Sequence, residues 1–177
     1  MKDHIRDYAT AAFRYYAELG CPTYELLKKQ IYDKALIQSK KELGHTNGIS
    51  KPTEYAIMNA ERAVENHEAE LRDILAVQEV IERLNFKKNY DIVRAVRMVY
   101  FANADKPLEK GSISARVHQA ELEIPASERQ IYYWLNQARK MFAEERGLRI
   151  ENQKIKNKKK DCSTSTLSSG KMYIMIS

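Results

Sequence analysis

The stretch SERQIYYWLNQARKMFAEERG, Ser127 to Gly147, carries a start signal, an apolar stripe, a polar face and a stop. Ser127 suits an N-cap, its hydroxyl accepting a hydrogen bond from a free first-turn N–H, and Gln130 three residues on completes a capping box. Arg146 and Gly147 mark the end, with a cation over the last carbonyls and then a residue free to turn left-handed. Ile131, Trp134, Leu135, Ala138 and Phe142 recur at the 3.6-residue period and are predicted to face a core. The opposite face holds Arg129, Tyr133, Asn136 and Lys140, spaced i, i+4, i+7 and i+11. A solvated face needs only Glu, Lys and Gln. This one offers a guanidinium fork suited to phosphate or guanine, an amide suited to adenine, and an aromatic ring. A plain solvated face with one stray tyrosine is the competing interpretation, and the residues upstream decide between the two.

Ser112 to Glu121, SISARVHQAE, reads as a short helix with Ile113 and Val117 inward, and LEIPA turns the chain into the capping box. A short helix, a turn and a longer helix with polar residues outward make a helix-turn-helix, whose second helix enters the major groove of DNA with its N-terminal residues toward the bases. Upstream, YDIVRAVRMVYF predicts a supporting helix with Ile92, Val93, Val96, Val99 and Tyr100 on one side. Asn103 to Gly111, which contains Pro107, links it to the pair.

The run from Tyr90 to Gly147 resembles the helix-turn-helix of sigma factors (their region four) and of phage-encoded RinA- and ArpU-like transcriptional regulators. Val117, Leu122, Ile124, Ser127, Ile131, Leu135 and Ala138 fall near that family's small and apolar positions, and Arg139 and Lys140 match its basic end. The resemblance covers about a third of the chain and rests on residue type. It implies a helical N-terminal half ahead of the DNA-binding domain, a phage or prophage origin, and RNA polymerase as a partner.

Charge is distributed in the same sense. Residues 1–86 hold 12 Lys and Arg against 14 Asp and Glu, residues 87–160 hold 17 against 9, and residues 161–177 hold one of each. The net charge of +6 therefore belongs to the half that contains the helix-turn-helix, as a phosphate-binding surface requires. Hydrophobic residues at 44% and charged residues at 31% of 177 describe a helix-rich soluble chain. The sequence has neither a run of about 18 apolar residues nor the apolar segment of a signal peptide, so a cytoplasmic place in a bacterial host cell and no membrane are expected.

Residues 4–19 put Ile5, Tyr8, Ala9, Ala12, Phe13 and Tyr16 on one face. At helical spacing such an aromatic stripe is core rather than a platform for stacking bases. Gly20 ends this helix, and Pro22 opens a second that runs to about Leu43 with Tyr24, Leu27, Ile31 and Ala35 as its stripe. GHTNGISKP is a loop. Thr53 to Leu84 has no Gly or Pro and reads as one long helix, with Ile57, Val64 and Leu71 at heptad spacing and Ala60, His67, Ile74 and Ile81 between them. Such a seam must bury against the second helix, as an antiparallel hairpin, or against a second chain, so a homo-oligomer is expected. His67 is read as a satisfied seam histidine and Gln78 as a polar interruption of the seam.

NFKKN, Asn85 to Asn89, is the expected module boundary. The fold expected is all-α, with a hairpin or coiled-coil-like N-terminal region over 1–86, a three-helix helix-turn-helix domain over 87–150, and a flexible tail over 151–177. That tail is first lysine-rich, then Ser/Thr-rich. Cys21 and Cys162 stand alone and read as free thiols. His4, His45, His67 and His118 have no ligand spacing, so no metal and no cofactor are expected.

The function these features imply is sequence-specific binding of double-stranded DNA in regulation of transcription. Arg129, Gln130, Tyr133 and Asn136 are assigned to the groove, with Ser127 at the mouth of the helix. Arg116, Arg139 and Lys140 are assigned to phosphates, and the Lys154 to Lys160 run reads equally as a further phosphate clamp or as a solubilising tail. The alternatives are a phage terminase small subunit, which joins the same motif to oligomerising helices for DNA packaging, and a helical protein–protein adaptor without DNA binding. An enzyme is not expected: there is no Gly-rich phosphate loop, GxSxG or HExxH, and Asp91 and Glu128 sit where ordinary helix capping explains them.

Overall fold

The computed structural model describes residues 4–43 and 52–148, and every regular element among them is a helix. The order is α1 (His4–Glu18), α2 (Tyr24–Leu43), α3 (Pro52–Asn66), α4 (Glu68–Phe86), α5 (Tyr90–Val96) running into a π-helical turn (Arg97–Phe101), α6 (Ser112–Glu123) and α7 (Glu128–Glu145). The loop at 44–51 and the lysine-rich and Ser/Thr-rich segments from residue 149 onward lie outside the described residues.

The aromatic stripe of α1 is core. Phe13 stacks on Tyr100 of the π turn at 5.6 Å between ring centroids and tilts against Phe142 of α7 at 5.9 Å. Tyr16 meets Phe101 at 5.9 Å, and Tyr8 meets Phe142 at 5.8 Å. Offset and tilted rings at these spacings add to the apolar burial itself. One cluster of buried residues runs from Ala9 and Phe13 through Leu71, Ile74, Val77, Val80 and Leu84 of α4 to Ile92, Val96, Val117, Ile131, Leu135 and Phe142. The turn at 85–89 thus joins two helices of a shared core, in which α1 packs against the π turn and α7, and α4 against α5 and α7.

The long helix expected over Thr53 to Leu84 is two helices. The chain breaks at His67, whose backbone (φ −98°, ψ 11°) leaves the helical region and whose N–H bonds back to the Val64 carbonyl at 3.1 Å. Two demands compete on this segment: α3 must follow α2 as the return arm of an antiparallel hairpin, whereas α4 must enter the main core. Asn66 and His67, weak helix formers, yield at the junction. The seam divides accordingly. Ala56 and Ala60 are buried on the hairpin side and Leu71, Ile74 and Ile81 in the main core, while Ile57 and His67 are exposed. His67 is therefore no seam histidine, its ring Nδ1 lying 2.8 Å from the Ala63 carbonyl.

Polar contacts set the hairpin's register. Asn59 donates to Oγ of the buried Ser39 at 3.4 Å, and Gln78 of α4 accepts the Tyr24 N–H, a first-turn donor of α2, at 3.0 Å. The polar interruption at Gln78 is thus a cap for a neighbouring helix.

Three helices end in the same way, each with a residue of positive φ and paired hydrogen bonds from the two N–H groups beyond the helix. After α7, Gly147 (φ +64°) bonds to Glu144 at 3.0 Å and Leu148 to Ala143 at 2.8 Å. After α1, Gly20 (φ +80°) bonds to Ala17 and Cys21 to Tyr16. After α4 the left-handed position falls to Lys88 (φ +57°), with Lys88 bonding to Asn85 and Asn89 to Leu84.

Candidate nucleic-acid interface

The helix-turn-helix pair comprises α6, the turn Ile124 to Ser127, and α7. Helix α6 runs two residues further than its sequence signal, through Glu123. Buried Ile124 is the apolar residue of the turn that enters the core, and Leu122, assigned by resemblance to an apolar position, is 78% exposed. The start of α7 is held three ways. Oγ of Ser127 accepts the Gln130 N–H at 3.4 Å, Oε1 of Glu121 accepts the Glu128 N–H at 3.3 Å, and the Glu128 carboxylate lies 3.0 Å from Nδ1 of His118. Ser127 is exposed with its hydroxyl engaged in the cap.

Ile131, Leu135, Ala138 and Phe142 are buried, and Trp134 packs partly buried against the same core. Their burial fixes the rotation of α7 and leaves Arg129, Gln130, Tyr133, Asn136 and Lys140 exposed on the other side, Tyr133 by 63%. Arg129, Tyr133, Asn136 and Lys140 enter no hydrogen bond or ion pair with another side chain among the described residues. They form a row along the outer face of a helix clamped at both ends.

Two assigned arginines differ from that row. Arg116, expected on phosphates, is half-buried and donates from Nη1 to the Val99 carbonyl at 3.1 Å. Arg139 is half-buried near the Tyr100 hydroxyl, where its charge opposes the effect of burial on that phenol. The reason for the first lies in the π turn. The chain leaves it in extended form at Ala102, so its last carbonyls lack helical partners. Arg116 takes Val99. Arg14, buried on α1, donates to the carbonyls of Asn103 at 2.8 Å, Ala104 at 3.1 Å and Lys106, with a long contact to Tyr100 at 3.5 Å. Burial lowers the Arg14 guanidinium from its ordinary range, and the nearby Arg116 charge lowers it further. Arg14 thus holds the start of the linker to the helix-turn-helix, and Arg116 holds the π turn before it. Apolar periodicity passes over both, because they lie on faces read as polar.

His118, Glu121 and Glu128, which sequence spacing left apart, are brought together at the corner between α6 and α7, with one donor atom from each within 4.8 Å of the others. The signal in the sequence was the i, i+3 spacing of His118 and Glu121. The third member needed the turn.

Comparison of the chain with protein-family models, with curated proteins and with solved structures finds no match. No described helix is long and apolar enough to cross a membrane.

Proposed function

We propose that this chain is a sequence-specific, double-stranded DNA-binding regulator of transcription, of the phage- or prophage-encoded kind its sequence resembles, acting in the cytoplasm of a bacterial host. The observation that carries the reading is the exposed row Arg129, Tyr133, Asn136 and Lys140 on the second helix of a helix-turn-helix whose opposite face is locked into the core. Arg129, Gln130, Tyr133 and Asn136 read base edges, while Lys140 and the cations of the Lys154 to Lys160 run neutralise phosphates. Arg116 contributes by bracing the π turn against α6.

The test is a salt titration of binding to random duplex DNA, comparing the wild type with Arg129→Ala/Lys140→Ala. A steep loss of affinity with salt, shallower in the double variant, supports the reading. A folded chain that fails to bind at low salt overturns it and leaves the adaptor reading.

The α2–α3 hairpin favours a second element of function. Leu26, Ile37, Tyr55, Ile57 and Met58 are exposed along it, more apolar surface than two packed helices need show. Self-association through these helices gives a dimer matched to a two-fold operator. A ring-sized assembly measured by light scattering selects instead the packaging role of a terminase small subunit.

A further inference from the structure

We propose that His118, Glu121 and Glu128 form a divalent metal site at the corner of the helix-turn-helix, with Zn2+ the ion best suited to one imidazole and two carboxylates. His118 and Glu121 stand three apart on one face of α6, and Glu128 is the first residue of α7, returned to that face by the turn through Pro125. Nδ1 of His118 lies 3.0 Å from the Glu128 carboxylate and 3.8 Å from that of Glu121. A tetrahedral ion with bonds of about 2.0–2.2 Å holds its donors roughly 3.4 Å apart, and the two distances straddle that value. All three donor atoms lie within 4.8 Å of one another.

Charge points the same way. Among the described residues neither Glu121 nor Glu128 pairs with an arginine or lysine, although the segment from 87 to 160 holds 17 of them, and the group that both carboxylates face is the imidazole of His118. With a neutral imidazole the set carries two negative charges, which a divalent ion cancels. Helix capping accounts for only part of the arrangement. Oε1 of Glu121 takes the Glu128 N–H, while its other oxygen faces His118, and the Glu128 carboxylate turns back across the corner to the same ring. All three side chains are solvent-accessible, so an ion can enter and water can fill the fourth position. A mixed nitrogen and oxygen set without thiolate suits Zn2+ and its first-row neighbours over Ca2+ or Mg2+.

Bound metal would tie α6 to α7 directly, and the inference does not depend on DNA binding. The test is calorimetric titration of the full chain with Zn2+, alongside thermal melting with and without the ion. One ion per chain is expected, with a raised Tm. His118→Ala and Glu128→Gln should each lower affinity by about tenfold or more. Cys21→Ser/Cys162→Ser should leave the titration unchanged. His118→Gln, which keeps a hydrogen-bonding group beside Glu128, separates loss of the cap from loss of the ligand: it should melt like the metal-free wild type and gain nothing from Zn2+. Absence of uptake overturns the proposal and leaves the three residues as a cap. Uptake that survives His118→Ala, or that disappears in the cysteine variant, also overturns it.

Discussion

Arg146, the C-cap of α7, closes on Asp73 in the second turn of α4, with Nε 2.6 Å from the carboxylate and both side chains more than four-fifths buried. Tyr8 of α1 donates to the same carboxylate at 2.6 Å and accepts from Arg146 at 3.3 Å, so one acid joins three helices that are distant in sequence. Arg83 of α4 and Glu145 of α7 form a second pair between these two helices. Burial alone would lower the Arg146 guanidinium, but its bonds to Tyr8 and Asp73 outweigh that and raise it. Asp73→Ala leaves a largely buried cation unpaired and should cost about 2 kcal/mol by chemical denaturation. Tyr8→Phe keeps the ion pair and should cost distinctly less; equal losses would show that the ion pair contributes nothing beyond the phenol's hydrogen bond.

Arg14 should be as sensitive for a different reason. Its guanidinium serves several backbone carbonyls between Tyr100 and Lys106 at once, which the point charge of lysine cannot reproduce. Arg14→Lys should lose about 1–2 kcal/mol and Arg14→Met somewhat more. Amide exchange in the 102–111 linker should quicken in both, and unchanged exchange there would mean that the linker holds itself.

The Tyr100 hydroxyl is buried with Thr10 and Arg139 beside it but neither in good hydrogen-bonding geometry, and burial raises the phenol above its ordinary 10.0, opposed first by the Arg139 charge. Tyr8, Tyr15 and Tyr16 are raised as well, by burial first. A folded-state value above the unfolded one means that the native chain holds more protons over that interval, so stability is intact below pH 10 and falls as pH rises through and beyond it. Alkaline titration of stability should show that fall. Tyr100→Phe should be within about 1 kcal/mol of the wild type at pH 7, since no well-formed bond is lost, and should flatten the alkaline slope. A large loss at pH 7 would reveal a partner for the hydroxyl.

Where a local rule sufficed, the fold could be read from residue order: Ser127 and Gly147 bound α7, and Ile92, Val93, Val96, Val99 and Tyr100 are buried as their spacing predicts. Three features needed the third dimension. The break at His67 arises because neighbouring halves of one helical pattern serve different partners. Arg14 and Arg116 turn inward because a π turn leaves carbonyls to be satisfied, and no pattern of apolar residues reports that. His118, Glu121 and Glu128 meet only once the turn has formed.

Lys88 occupies the left-handed position that glycine takes after α1 and α7, and a side chain there costs about 1 kcal/mol relative to glycine. Lys88→Gly should therefore raise stability by up to about 1 kcal/mol, reduced by the extra freedom of the unfolded chain. A loss would mean that the Lys88 side chain makes a contact worth more than the strain.

The row on α7 divides by role, and single variants separate the two kinds. Arg129 stands on the first turn, where a helix in the major groove approaches base edges, and Lys140 stands about three turns further along. Arg129→Ala should weaken binding to a selected cognate duplex by about 1–3 kcal/mol and to random DNA by much less, relaxing preference at one base pair. Lys140→Ala should weaken both alike and reduce the slope of log affinity against log salt by about one. Gel-shift titrations on both duplexes at several salt concentrations measure both effects. If the two variants behave alike, with parallel losses on cognate and random DNA, Arg129 is a phosphate contact and specificity must come from Tyr133 and Asn136 or from the shape of the duplex.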